Sequence, residues 1–227
     1  SFVNQMINAS ALDNGLHAGD LKFVDLDGNN KIEQTTSAND RKDMKVIGNS
    51  LPRYNYNFGI SADWYGIDFS VLFQGIGKQN WYPGAETSMF WGPYSRPYAS
   101  FIPSDFMSQV WSEENTDAYF PRPRGYVALG SNRELAVVNT KYLQNLAYCR
   151  LKNLSIGYTL PDKWLSKIGF EKIRVYFSGE NLLTFTKLHS DYIDPEQASA
   201  SNSWKTSKSD ANIYPWAKTY SFGVDIT

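Results

Sequence analysis

The sequence predicts an all-β fold, an antiparallel transmembrane β-barrel segment with long extracellular loops. Two observations support this prediction: long runs in which apolar and polar residues alternate, and connections that are alternately short and long. Successive side chains of a strand point to opposite faces, so each run predicts a strand with one apolar and one polar face. The runs are about ten residues long, enough for a tilted strand to cross a bilayer, whereas strands of soluble sandwiches usually have about five or six residues.

The first predicted barrel hairpin lies within residues 52–77. Its outgoing run carries aromatic and aliphatic residues at every second position, and its returning run does the same, interrupted only at Leu72. The stretch Asp63–Gly66 between the two runs is long enough only for a tight turn. The two strands must therefore pair antiparallel.

The second predicted barrel hairpin lies within residues 141–186. Apolar residues alternate with polar ones over 154–160 and again over 173–177, and Pro161 and Gly169 punctuate the connection. A connection of this length cannot hold a parallel crossover, so this pair is also antiparallel. A last run within 217–227 predicts the C-terminal closing strand.

Three regions remain, 1–51, 78–140 and 187–216, and all are predicted to be extracellular loops. Short turns on one side and long loops on the other are typical of bacterial outer-membrane barrels. A connection as long as 78–140 without structure of its own is uncommon in a compact domain unless it is functional.

Aromatic residues are concentrated in the early part of the 78–140 loop. Ring faces stack on the apolar faces of sugars, so we predict that four of these rings contact a substrate or a partner that covers the barrel. They are Trp81, Tyr82, Trp91 and Tyr94. The alternative is that these rings pack the loop onto itself or onto a partner.

Residues 25–36 are similar to a calcium-binding loop. Oxygen-bearing side chains occupy positions 1, 3 and 5 of this loop, and alternate residues of such a loop direct their oxygens at one hard cation. The predicted calcium ligands are Asp25, Asp27, Asn29, the carbonyl of Lys31, and Asp40.

Two positions depart from the calcium-loop pattern. Position 6, normally glycine, is Asn30, which tolerates a left-handed conformation, and position 12, normally a carboxylate, is Thr36. The alternative interpretation is a turn rich in Asp and Asn that holds no metal.

Composition excludes several classes of function. The formal net charge of -1 offers no field for a polyanion, so nucleic acid is not an expected partner. The single cysteine, Cys149, excludes an internal disulfide framework, and no run approaches the roughly 20 apolar residues of a membrane helix. No Ser/His/Asp set, histidine cluster or carboxylate pair indicates an enzyme. The absence of an initiator methionine and a signal peptide leads us to expect a fragment or a processed product.

Six motifs occur in an order that resembles the C-terminal part of SusC/RagA-type TonB-dependent outer-membrane transporters. The most specific are YCRLKNLSIGYTLP at 148–161 and RVYFSGENLLTFT at 174–186. The others lie within 19–59, 111–121, 194–196 and 214–227. The chain departs from the family pattern in two places. The Asp40-Arg41 pair is delayed by an insertion, and the chain stops at Thr227 where the family has an aromatic residue.

This resemblance implies transport without catalysis. Members of the family import glycans, or in some cases peptides, across the outer membrane of Gram-negative cells with energy delivered by TonB, and a SusD-type lipoprotein forms a lid over the barrel. The chain would contribute the last strands of a larger barrel in contact with outer-membrane lipid. The remaining strands, the plug and the TonB-contacting segment would come from other parts of the same protein or from another chain.

A secreted calcium-dependent carbohydrate-binding β-sandwich or adhesin is the alternative from another class of protein. It accounts equally well for the aromatic residues and for the calcium-like loop. It does not account for strands of about ten residues or for connections that alternate in length by side.

Overall fold

The computed structural model describes residues 17–35, 37–95, 102–130, 133–165, 169–201, 208–209 and 214–227. The chain divides into two compact units, which we call the sheet unit and the loop unit. The sheet unit consists of Ser50–Asn80, Asn145–Ala200 and Ile213–Thr227. The loop unit consists of Ser1–Asn49, Trp81–Gln144 and Ser201–Asn212.

Five antiparallel strands form the main sheet. In spatial order they are β1 (Arg53–Trp64), β2 (Ile67–Lys78), β5 (Tyr148–Thr159), β6 (Ile173–Thr186) and β8 (Thr219–Ile226). The first four have 12 to 14 residues, longer than usual in soluble sheets. The prediction of an all-β fold built from antiparallel hairpins is confirmed.

One face of this sheet is apolar and exposed. Cross-strand pairing aligns apolar side chains in transverse rows, since partners in register lie on the same face. One row contains Ala62, Phe69, Ile156, Phe177 and Phe222, which are successive neighbours across all five strands. Phe222 is 82% exposed and Ile60, in the next row, is 62% exposed. A soluble sheet would bury such a face.

The opposite face is polar and lined by small side chains. One complete transverse row consists of serines, namely Ser61, Ser70, Ser155, Ser178 and Ser221. The apolar residue Leu72, which interrupts the sequence pattern, lies on this polar face opposite Gly59 and Asn153. A sheet with one apolar and one polar face is the arrangement that a membrane barrel requires.

An ion pair joins β2 to β6 across the intervening strand β5. The Nη2 and Nε of Arg174 donate to the two carboxylate oxygens of Asp68 at 2.6 and 2.8 Å. Between them on β5 is Gly157, where a Cβ would lie 2.4 Å from the Asp68 Oδ1 and 2.6 Å from the Arg174 Nε. The missing side chain of Gly157 therefore leaves the space that this ion pair occupies. Arg174 also donates to Asp225 of β8 at 3.1 Å.

The short connections are built as the sequence predicts. Tyr65 and Gly66 have φ values of 47° and 82°, so two left-handed residues close the β1–β2 hairpin. The β5–β6 connection contains the helical turn α2 (Asp162–Leu165). In β5 the pairing with β2 skips Lys152, which is the extra residue of a β-bulge.

The loop unit contains short elements. These are α1 (Ser88–Trp91), 3-10 turns at Gly92–Tyr94, Phe106–Gln109 and Gly125–Leu129, and the strands β3 (Asn80–Pro83), β4 (Gln144–Asn145) and β7 (Lys208–Ser209). Strand β3 pairs parallel with β7. A further helix, α3 (Pro195–Ser201), follows β6. No helix in the described part of the chain is long and apolar enough to cross a membrane.

Substituting Gly157→Ala is expected to destabilise the sheet, because the added Cβ collides with both members of the Asp68–Arg174 pair. The colliding atoms are the ends of two flexible, partly exposed side chains that can move aside, so the cost is that of the disturbed ion pair, at most about 1 kcal/mol. The measurement is the thermal unfolding temperature of the whole receptor in detergent. The matched control is Ser155→Ala, two residues away on the same strand and face, which adds no atoms. Equal melting temperatures for the two variants would contradict this role of Gly157.

Candidate functional site

Three carboxylates of the loop unit lie close together. Oxygens of Asp25, Asp27 and Asp43 are all within 4.8 Å of one another. The first two belong to the calcium-like loop, and the third comes from a later segment. The arrangement brings three anionic oxygen ligands to one place, which is the donor set that a hard cation prefers.

Backbone amides hold these carboxylates in position. The two oxygens of Asp25 accept from the N–H groups of Gly28 and Asn30, both at 2.7 Å. The oxygens of Asp43 accept from Leu26 and Glu33, again at 2.7 Å. Asn30 has a φ of 61°, the left-handed conformation that the calcium-like loop requires at position 6.

The same hydrogen bonds affect the acidity of Asp25. Partial removal from water raises the pKa of its carboxyl, but the amides of Gly28 and Asn30 outweigh this effect, so the pKa lies below its ordinary value. A lowered pKa means that the charged carboxylate stabilises the loop above the ordinary pKa. This stabilisation is lost as the pH falls through the lowered value.

One of the predicted calcium ligands lies outside the carboxylate cluster. Asp40 does not join the cluster; it pairs with the Nζ of Lys42 at 3.3 Å, and Asp43 takes its place. The side-chain oxygen of Asn29 accepts from the N–H of Lys31 at 2.7 Å. Thr36, at position 12, lies outside the described residues.

The four rings predicted to contact a substrate are buried instead. Trp81, Trp91 and Tyr94 are 0% exposed and Tyr82 is 1% exposed. Rings with no accessible surface cannot stack on a sugar, so the structure corrects this prediction. The alternative, that the rings pack the loop onto itself, describes the structure.

Trp91 lies at the centre of this aromatic interior. Its ring contacts Phe90 and Tyr142 edge-on with centroid distances of 4.8 and 5.3 Å, and Tyr82 at 6.1 Å. Phe120 joins the same group, 5.9 Å from Tyr142. Edge-on and offset contacts are the preferred geometries of aromatic pairs. The interior therefore holds together residues that are distant in the chain.

The polar atoms of the buried rings have hydrogen-bond partners. The Nε1 of Trp91 donates to the carbonyl of Gly84 at 3.0 Å, and the hydroxyl of Tyr82 donates to the carbonyl of Leu135 at 2.7 Å. The Tyr94 hydroxyl donates to the Pro121 carbonyl. Burial raises the pKa of both tyrosines, so they remain neutral donors at physiological pH.

A charged group borders a cavity in the loop unit. Asp20, from the first family motif, accepts from the Nε of Arg122 at 2.6 Å, and Arg124 donates to Glu134 at 2.7 Å. The other carboxylate oxygen of Glu134 is buried and has no hydrogen-bond partner in the described part of the structure. Burial raises the pKa of Glu134. The cavity has a volume of about 400 Å³ and mixes apolar walls with both signs of charge.

A second charged group fastens the connection between β6 and β8 to the sheet unit. The buried guanidinium of Arg150 donates to Asp194 at 2.6 Å and to Glu196 at 2.7 Å. Lys152, the bulge residue, also contacts Glu196 at 3.2 Å. Asp194 in turn accepts from the N–H of Trp216 at 3.3 Å. The sequence signal for this group was the Asp194-Pro195-Glu196 motif, whose role could not be inferred without the fold.

Comparison with known proteins supports the identification that these features suggest. No protein-family model matches the chain. TonB-dependent receptor P3 of Formosa agariphila is 31% identical over 210 residues, which is 90% of this chain and 18% of the receptor. TonB-dependent receptor P26 of the same organism is 25% identical over 226 residues, 97% of this chain and 21% of the receptor.

A solved structure shows the same fold. The RagAB peptide importer in its closed-closed state superposes with a TM-score of 0.57 at 24% identity, over 89% of this chain and 20% of the compared chain. The chain thus spans about a fifth of the length of the relatives that it matches. It belongs to the TonB-dependent receptors of the Gram-negative outer membrane.

Proposed function

We propose that the receptor containing this chain imports an oligomeric nutrient, a glycan or an oligopeptide, across the outer membrane. The observation that supports this proposal is the sheet with an exposed apolar face and a polar face, in a chain that belongs to the TonB-dependent receptors. In this function the sheet unit supplies barrel strands, and the long connections supply extracellular loops. TonB provides energy through parts of the protein outside this chain.

The edges of the sheet support its place in a larger barrel. Among the described strands, β1 and β8 each have a single neighbour in the main sheet. An unpaired backbone group in hydrocarbon costs several kcal/mol, so an open edge is not stable there. Five strands are also an odd number, whereas bacterial single-chain barrels have an even number of at least eight. The missing partners are supplied by other strands of the receptor.

We also propose that the 78–140 loop meets a SusD-type lipoprotein or the substrate outside the cell. The buried rings act indirectly in this proposal, because they set the shape of the surface that the loop presents. Exposed apolar residues of the loop are candidates for the contact itself. They include Ile102, Met107 and Tyr126.

Calcium is proposed as a ligand of the carboxylate cluster in the loop unit. The fit is favourable because oxygens of Asp25, Asp27 and Asp43 converge within 4.8 Å, and calcium takes oxygen ligands at about 2.3–2.6 Å. A bound calcium ion, with two positive charges, would offset most of the repulsion among the three carboxylates. It would thereby tie the loop at 25–33 to the segment that carries Asp43.

The double substitution Trp81→Ala with Trp91→Ala should disorganise the 78–140 loop, because each removed ring leaves a cavity in a closely packed interior. Large-to-small changes of this kind cost about 3–5 kcal/mol each. We expect faster proteolysis within the loop and loss of lipoprotein co-purification, with barrel assembly retained. The control is Tyr126→Ala, a ring of the same loop that is 56% exposed and should leave proteolysis unchanged. Normal protease resistance of the double variant would contradict the scaffolding role.

Deletion of the receptor gene should abolish energised uptake of its nutrient. The measurement is accumulation of fluorescent oligosaccharides and, in a second arm, of fluorescent oligopeptides by intact cells. Uptake in the parent strain should require TonB, since a protonophore or a TonB deletion removes the energy source. The arm that loses uptake identifies the substrate class. Unchanged uptake in both arms would show that the import proposal is wrong.

Calcium affinity should fall by about tenfold, equal to roughly 1.4 kcal/mol, in the Asp25→Asn and Asp43→Asn variants. Each substitution removes one negative charge from the cluster. The measurement is isothermal titration of the whole receptor with calcium after treatment with a chelator. The matched control, Asp40→Asn, removes a charge that pairs with Lys42 and should leave the affinity unchanged. The proposal fails if the chelator-treated receptor without substitutions shows no calcium-dependent heat, or if only Asp40→Asn weakens binding.

A further inference from the structure

The cavity of the loop unit has aliphatic walls. Leu26, Ile32, Val137 and Val138 line it, and Phe23 is the only aromatic residue among the described residues at its surface. Its volume of about 400 Å³ lies in the range of ligand sites, which are mostly apolar with a few polar groups. A sugar is recognised through the faces of aromatic rings, so these walls suit aliphatic side chains better than a glycan.

Several apolar side chains of the cavity are also exposed to solvent. Val24 is 70% exposed, Leu26 44% and Met44 46%, and all three line the cavity. Val46, two residues after Met44, is 79% exposed. Exposed apolar side chains that are grouped at a cavity indicate that a ligand or a partner covers them.

The stretch 44–48 beside the cavity has unused capacity for backbone hydrogen bonds. It belongs to no helix, strand or turn, and the N–H and C=O groups of Lys45, Val46 and Ile47 have no hydrogen-bond partner among the described residues. The β-branched residues Val46 and Ile47 favour an extended conformation. An extended peptide pairs with such backbone groups and places alternate side chains in neighbouring pockets. A glycan has no regular array of amides that could do the same.

The charges of the cavity favour an anionic group on the ligand. The four acidic residues that line the cavity all accept hydrogen bonds from groups of the protein; they are Asp20, Glu33, Asp43 and Glu134. Lys45 also lines the cavity, but it is exposed and forms no ion pair with any described residue. An ammonium group without a partner, beside apolar walls, is complementary to a carboxylate.

We propose that the cavity and the stretch 44–48 form a binding site for an oligopeptide that carries aliphatic side chains next to an acidic one. An aliphatic side chain enters the cavity, the peptide backbone pairs with the free groups of 45–47, and the acidic side chain binds the ammonium of Lys45. This inference rests on the proposed function, because it names the class of the nutrient and a place where the receptor contacts it. A glycan and a segment of the receptor outside this chain are the other possible occupants.

The first experiment is a charge exchange between the receptor and the peptide. The whole receptor in detergent is titrated into the peptide Gly-Val-Glu-Val-Gly, labelled with a fluorophore at its N-terminus and amidated at its C-terminus, and binding is followed by fluorescence anisotropy. A second peptide has lysine in place of glutamate. The receptor should prefer the glutamate peptide, and Lys45→Glu should weaken that binding by about tenfold and reverse the preference. The control is Lys163→Glu, an exposed lysine of α2 that does not line the cavity and should leave both affinities unchanged.

Hydrogen exchange of the backbone amides tests the pairing directly. The amides of 44–48 should exchange rapidly in the receptor alone, because they have no hydrogen-bond partner, and slowly when the glutamate peptide is present at saturation. Slow exchange in the absence of peptide would show that another segment of the receptor already covers this stretch. That result would overturn the proposal.

The remaining outcomes separate this site from the import function. If neither peptide binds, or if Lys45→Glu leaves the preference between them unchanged, the peptide site is wrong. Protection of 44–48 by maltohexaose but not by the peptides would assign the site to glycans and would also overturn the proposal. TonB-dependent uptake of oligopeptides that Lys45→Glu leaves unaltered would mean that import continues without this site. Import itself is contradicted only by unchanged uptake of both nutrient classes after deletion of the receptor gene.

Discussion

The register of the five antiparallel strands is the constraint on which the other features depend. A slip of one residue would move every side chain of a strand to the opposite face. Phe177 and Phe222 would then face the polar side, and the serine row would face lipid. In this register the ion pair of Arg174 with Asp68 spans three strands, and Gly157 leaves the space that the pair occupies. The difference in polarity between the two faces, which comes from the alternation of apolar and polar residues, is what specifies the register.

The loop unit reaches its structure by a different route. Its elements are short, so hydrogen bonds within helices and strands contribute little to its shape. A buried group of rings centred on Trp91, with hydroxyl and indole donors bonded to backbone carbonyls, holds the segments together. The shape of the surface of the loop unit is thus determined from within, by buried rings that no ligand can touch.

Alternation of apolar and polar residues was sufficient to predict the hairpins, because side-chain direction in a strand is a local property. Burial of Trp81 and Trp91 was not predictable, because it depends on residues distant in the chain, such as Phe120 and Tyr142, which the fold brings into contact with Trp91. The presence of Asp43 in the carboxylate cluster, in place of the predicted Asp40, has a similar cause. Asp43 is held there by hydrogen bonds from the N–H groups of Leu26 and Glu33, which lie 17 and 10 residues away. The spacing of residues along the chain does not reveal these hydrogen bonds.

The ion pairs of Arg150 have a consequence for the length of the connection between β6 and β8. Asp194 is bound to Arg150 and also to the backbone of Trp216, so both ends of the segment between them are held beside β5. Glu196, which accepts from Arg150 and Lys152, belongs to the part that is held. With its ends fixed in this way, a longer connection would cost only the entropy of closing a longer loop, about 0.6 kcal/mol for each doubling of its length.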